Sequence, residues 1–291
     1  MTNQLERVPN LRRFNFFNYS AIVIAYKVIH EGRRDRWFWS FAGGFTLLAV
    51  AITTTTSQNK TFGSIRGFGP TAASLVALVH LLITLMALTL GARQLSSERE
   101  SNTLAFLLSQ PVSRSNVLWG TFIGHVATMS ASVFLGFGAA GIFSTIRGNS
   151  TDALLLLRLT GLTCLLVAAM VALGVLISTA TQKSSSALGF SVSVWFLMVF
   201  LGDLGLMAAT VTTQLSAKTL LLLALLNPTE AFRITAVVSL GGSIDALGPA
   251  GTYAIDTFGA GIIGLTLGVL ILWIAVALGL SLMIFSRRDL A

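Results

Sequence analysis

Apolar residues gather in six runs, near 37–56, 71–91, 117–143, 153–178, 187–208 and 259–285, separated by short polar breaks. A bilayer core about 30 Å thick is crossed by roughly 20 helical residues, so each run predicts one transmembrane helix. All five prolines, Pro9, Pro70, Pro111, Pro228 and Pro249, fall outside these runs, where a helix break is harmless. The expected fold is therefore an all-α membrane protein. Residues 37–291 would form a single six-helix domain, and residues 1–36 a polar lead-in.

Within that lead-in, residues 18–35 carry Ile22, Ala25, Tyr26 and Ile29 on one helical face and Lys27, Glu31 and Arg34 roughly opposite. This pattern predicts a helix lying along the membrane interface, with Ile24 and Val28 spilling toward its polar side. An ordinary lead-in to the first span is the other reading.

Composition sharpens the membrane assignment. Hydrophobic residues make up 54% of the chain and charged residues 10%, with mean hydropathy +0.81, against roughly 25% charged in a soluble domain. The net charge of +8 does not imply nucleic acid, because the basic residues flank apolar runs instead of lining one soluble face. They set orientation. With the N-terminus in the cytoplasm, that side holds Arg7, Arg12, Arg13, Lys27, Arg33, Arg34, Arg36, Arg93, Arg99, Arg114, Lys183, Arg287 and Arg288. The other side keeps Lys60, Arg66, Arg147, Lys218 and Arg233. That asymmetry predicts an inner-membrane protein with both termini cytoplasmic, a polar loop from Arg93 to about Asn116 inside, and a larger segment, 209–258, outside. The first 36 residues lack the order of a cleavable signal peptide and are read as retained.

No phosphate-cradling glycine loop, H-E-x-x-H, G-x-S-x-G or paired C-x-x-C occurs, so no catalysis and no cofactor are expected in this chain itself. The lone Cys164 has no disulfide partner. His80, His125 and the third histidine, His30, are scattered. His125 and Met129, four apart, are weak candidates for a soft metal, as are Cys164 and Met170; helix packing explains all four equally well. Arg158 and Asp203 lie within or near the membrane, where a charge is costly, and are expected to pair. Gly120 and Gly124, and Gly264 and Gly268, have the spacing of close helix approach, either within one chain or between two.

The inner loop is the richest segment. Glu98, Arg99, Glu100, Thr103 and Arg114 supply polar groups, Leu104, Leu107 and Leu108 an apolar ridge, and Pro111 divides two short helices. Read by spacing, this is either a docking surface for a soluble partner or a solvated connector. In the outer segment, 219–226 is too short to span. Asn227 and Pro228 stop it, and Thr229 and Glu230 open a further helix through Arg233. Together with Pro249, Tyr253 and Asp256 these residues form either a docking platform or a cap over the bundle.

The run Glu98 to Gly120 resembles the coupling segment of type-2 ABC transporter permeases, with Asn102 where glycine is usual and Thr121 where lysine is usual. Leu225 to Ile234 and Leu247 to Gly259 further resemble the NosY-type permeases of nitrous oxide reductase maturation. The resemblance implies a second copy of the chain, a NosF-like cytoplasmic ATPase dimer holding ATP and magnesium, and a NosD-like periplasmic protein on the outer segment. Copper-site assembly would be the purpose. Competing expectations are a generic type-2 exporter of a drug, lipid or glycan, an ion-coupled secondary transporter, and a membrane scaffold that transports nothing.

Overall fold

A computed structural model describes residues 15–58, 69–110, 112–146, 153–202, 216–240 and 248–287. Among them every regular element is helical. In chain order these are α1 (Asn15–Arg34), α2 (Arg36–Gln58), α3 (Gly69–Leu78), α4 (Thr84–Glu100), α5 (Thr103–Leu108), α6 (Arg114–Ile146), α7 (Ala153–Ala180), α8 (Ser184–Phe196), α9 (Ala217–Leu225), α10 (Pro228–Ser239), α11 (Gly248–Phe258) and α12 (Gly261–Arg287). A π-helical turn, Val79–Ile83, joins α3 to α4, and another, Leu197–Leu201, extends α8.

Among the described residues five stretches are long and apolar enough to cross a bilayer: Arg36–Thr55, Thr71–Glu100, Arg114–Ile146, Ala153–Ala180 and Gly261–Arg287. Two elements share the remaining apolar sequence. Ser184–Phe200 is a shorter apolar helix, and α9 with α10 forms a pair bent by 111°, a broken span or a re-entrant loop. The candidate spans thus number five or six. With 33 residues, α6 is about 50 Å long, so part of it projects beyond a 30 Å core.

Packing fixes the relative directions. Moving along α6, Gly120 meets Ala21 and Ile24, Gly124 meets Val28, Thr128 meets Gly32, and Gly136 meets Phe45. Helices α1 and α2 therefore run one after the other in the same direction as α6. A second parallel pair is α4 and α7, where Gly91 lies against Val171 and Gly174. A Cβ at Gly91 would stand 2.7 Å from the Val171 carbonyl oxygen, so backbone touches backbone there. Small residues at such crossings matter because lipid tails are as apolar as leucine, leaving close packing as the attraction between helices. One continuous core around Leu75, Ile83, Leu88, Leu118, Met129 and Phe137 results. A smaller core, from Leu221, Ala224, Ile234, Ala254 and Ile262, joins α9–α11 to the start of α12.

Buried hydroxyls mostly bond to the preceding turn of their own helix, as Thr128 does to Gly124 at 2.8 Å and Thr163 to Leu159 at 2.7 Å. Three reach across: Thr235 donates to Thr266 at 2.6 Å, Thr84 accepts from the Trp195 indole at 3.0 Å, and Ser178 accepts from the Ser96 backbone amide at 2.9 Å.

Candidate functional site

At one end of the bundle the last residues of α4, α7 and α12 meet the first residues of α6 and α8. A helix leaves its last carbonyls and first amides without internal partners and carries a partial negative and positive charge there, respectively. Charged side chains around α5 answer the ends of α7, α12 and α8. Arg99 donates to the carbonyls of Thr181 at 2.6 Å and Ser178 at 3.4 Å, closing the end of α7. Arg114 donates to Phe285 O at 2.9 Å and Ser286 O at 3.1 Å, closing α12. Glu100 accepts from the Ser184 backbone amide at 3.1 Å, at the start of α8. Glu98 pairs with Lys27 of α1 at 3.1 Å and accepts from Gln94 at 3.1 Å. In each case the sign of the side chain opposes that of the helix end or residue it meets.

Within the chain, this geometry turns several of the inner-loop residues toward the bundle. Glu98, with a side chain only 14% exposed, is tied inward. The leucine ridge also turns inward: Leu104 is buried and Leu107 packs against the main core, because α5 lies on the bundle and its apolar face has lipid-embedded helices to cover. Pro111 and the Leu108 side chain lie outside the described residues. Left facing outward are Ser101, Asn102, Thr103, Ser109 and Gln110. Asn102 has φ of 57°, a left-handed conformation closing α4. That is why glycine suits this position, and why asparagine, the side chain most tolerant of it, replaces glycine here.

Helix α1 packs on the bundle through Ile24 and Val28, the two residues read as spilling toward its polar side. Ile24, Ala25 and Val28 are buried, whereas Ile22 and Tyr26 are 65% and 70% exposed. Shape decides this: Gly120 and Gly124 open a groove in α6 that receives Ile24 and Val28. Lys27 and Glu31, 3.6 Å apart, stay on the opposite flank near α4, and Arg34 is exposed. Burial depresses the Lys27 pKa, but the charges and hydrogen bonds of Glu98 and then Glu31 outweigh it, so the pKa is raised.

Between α1, α4 and α6 lies a polar cleft of about 300 Å³, lined by Lys27, Glu31, Asp35, Arg93, Gln94, Glu98 and His125. His125 is buried at its inner wall, with Nδ1 against the Thr121 carbonyl at 2.9 Å. Met129 sits one turn on, within the main core. Among the described residues no group of three or more His, Cys, Asp or Glu is placed to hold a metal ion. His80 is buried in the π turn, where its carbonyl accepts from Thr84, and Cys164 is half-buried.

At the other end Asn227 caps α10. Its oxygen accepts from the Thr229 amide at 3.1 Å and hydroxyl at 2.8 Å, and its amide donates to Met198 O at 2.6 Å. Pro228 opens the helix, and Glu230, buried, pairs with Arg233 at 3.3 Å. These residues build the bend more than they face outward. Tyr253 packs against the smaller core, Asp256 is exposed, and the Pro249 side chain lies outside the described residues. Arg158 is exposed on α7, while Asp203 lies outside the described residues. Sequence reasoning missed the Lys27–Glu98 and Asn227–Met198 ties; complementary charge was the one signal available for the first, and nothing announced the second.

Long apolar helices gathered into one bundle, with a polar hub at one end, define a multi-pass helical membrane protein. Residues 22–290 match the family described as ABC-2 family transporter protein. The chain is 32% identical over 276 residues to the Pseudomonas aeruginosa "Probable ABC transporter permease protein NosY", covering 92% of this chain and 98% of that protein. A Stutzerimonas stutzeri protein of the same description is 32% identical over 274 residues, covering 91% and 97%. The chain belongs to the ABC-2 transporter family, as a NosY-like type-2 permease.

Proposed function

We propose that this chain is the membrane subunit through which a soluble ATPase works on the far side of the bacterial inner membrane, in assembly of the copper sites of nitrous oxide reductase. The observation that carries the mechanical part is the hub around α5, where Glu98, Arg99, Glu100 and Arg114 each hold a different helix. A displacement of α5 reaches α1, α7, α8 and α12 together. ATP and magnesium belong to the partner; binding energy there favours one of two bundle arrangements. The copper purpose rests on the two NosY relatives.

In this reading the hub faces the cytoplasm. Helix α8 leaves it at Ser184, reaches α10 near Met198, and α12 returns from Thr266 to Phe285 at the hub. That path supports six crossings, with α8 and its π turn as the fifth and α9–α10 as a re-entrant element on the periplasmic side. Two copies of the chain, a NosF-like ATPase dimer beneath and a NosD-like protein above complete the assembly.

The test is cross-linking in the intact complex from a cysteine placed at Gln110, in a Cys164→Ser background, together with nitrous oxide reductase assayed for copper. Cross-links to the ATPase and copper-depleted reductase on deletion of the chain are expected. Cross-links to a periplasmic protein instead would overturn the orientation; fully loaded reductase would overturn the purpose.

A further inference from the structure

Where α1 gives way to α2, three arginines, Arg33, Arg34 and Arg36, stand exposed within four residues. At the hub, by contrast, Arg99 and Arg114 are spent on carbonyls. Among the described residues these three guanidinium groups have no hydrogen bond or ion pair. The one acid among them, Asp35, is occupied, its carboxylate accepting from the Trp37 amide at 2.9 Å. Beside the arginines stand Trp37, 76% exposed, and Trp39, 52% exposed. The Trp39 indole is fixed, donating to the Arg33 carbonyl at 2.8 Å.

Depth identifies the occupant. Arg36 is the first residue of an apolar helix whose exposed side chains include Leu47 and Leu48, so the arginines lie at the level where hydrocarbon begins. Exposed tryptophans belong at that level, where their amphipathic rings sit among the headgroups. Guanidinium binds phosphate through a planar fork of donors. We propose that the α1–α2 junction is a binding site for the phosphate of an anionic phospholipid, held by Arg33, Arg34 and Arg36 and flanked by Trp37 and Trp39. The proposal requires the chain to cross a membrane; it does not depend on which complex the chain serves.

The full-length chain is reconstituted into nanodiscs of equimolar phosphatidylglycerol and phosphatidylcholine, and lipids kept after release are counted by native mass spectrometry. The wild type retains phosphatidylglycerol selectively. R33Q/R34Q/R36Q weakens that retention roughly a hundredfold, the combined effect of three charges at an anionic surface. R33K/R34K/R36K keeps most of it. A control removing the same charge elsewhere, R93Q/K183Q/R287Q, leaves it intact. Equal loss in both glutamine variants, or no loss in the first, overturns the site. If the first variant, purified from cells, comes without the ATPase partner while its phosphatidylglycerol retention in nanodiscs is unchanged, the surface belongs to protein and the proposal is overturned. Quenching needs no charge variant: dibrominated phosphatidylglycerol quenches tryptophan fluorescence more than dibrominated phosphatidylcholine does, and W37F/W39F removes the excess. Equal quenching by the two lipids refutes the proposal.

Discussion

Asn102 closes α4 with φ of 57°, where a side chain crowds its own backbone unless it is glycine or a short polar residue. Asn102→Val therefore destabilises by about 1–2 kcal/mol, while Asn102→Gly is neutral or stabilising, read as thermal unfolding of the purified chain in detergent. Glycine at the helix crossings acts by size instead. Gly91→Val forces a side chain into the α7 backbone and costs about 3 kcal/mol, with loss of folded yield; Gly264→Ala, which has open space around it, leaves the monomer unchanged. Residues of these two kinds differ in legibility. Asn102 stood out because glycine is usual there. The burial of Ile24 and Val28 against the bundle was hidden, because it follows from the shape of α6, which no pattern within α1 contains.

Between elements, the hub works through contacts at helix ends, and each can be cut singly. Arg99→Met removes the donors that hold the last carbonyls of α7. Hydrogen bonds to charged groups are worth about 1.5–3 kcal/mol, so reductase maturation falls tenfold or more while the ATPase still co-purifies. Loss of co-purification instead would make Arg99 a docking residue. The Lys27–Glu98 pair joins α1 to α4 and is partly open to water on the Lys27 side, so a double-mutant cycle with Lys27→Met and Glu98→Gln returns about 0.5–1 kcal/mol. Its pH dependence has a fixed sign. Because the folded-state pKa of Lys27 is raised, its contribution is whole below the ordinary lysine value of about 10.4 and vanishes as pH climbs through the higher folded value. Wild type and Lys27→Met thus keep a constant difference in melting temperature across neutral pH and converge only in strong alkali. Long apolar runs made the spanning helices readable from sequence. Nothing in the sequence said that Glu98, Arg99, Glu100 and Arg114 would be used up inside the chain, since a charged loop looks the same whether its charges meet a partner or its own helix ends.

For the molecule as a whole, the same end-to-end contacts constrain topology. Lys27 of α1 and the carbonyls of Phe285 and Ser286 in α12 both meet residues flanking α5, so the described chain begins and ends at one end of the bundle. An even number of crossings must separate them. The bent α9–α10 pair cannot then be a crossing in addition to α8, because Thr235 meets Thr266, at the end of α12 farthest from the hub. Single cysteines in a Cys164→Ser background test this directly. Ser101 sits exposed at the hub, and Lys218 is exposed at the start of α9. A maleimide that cannot cross membranes, applied to sealed right-side-out vesicles, should label Lys218→Cys and spare Ser101→Cys until the vesicles are opened. Labelling of both from outside would mean that α8 fails to cross and that the hub lies where no cytoplasmic ATPase reaches it. The reverse pattern would place the arginines of the α1–α2 junction on the side that positive charge avoids, contradicting the rule from which the orientation was read.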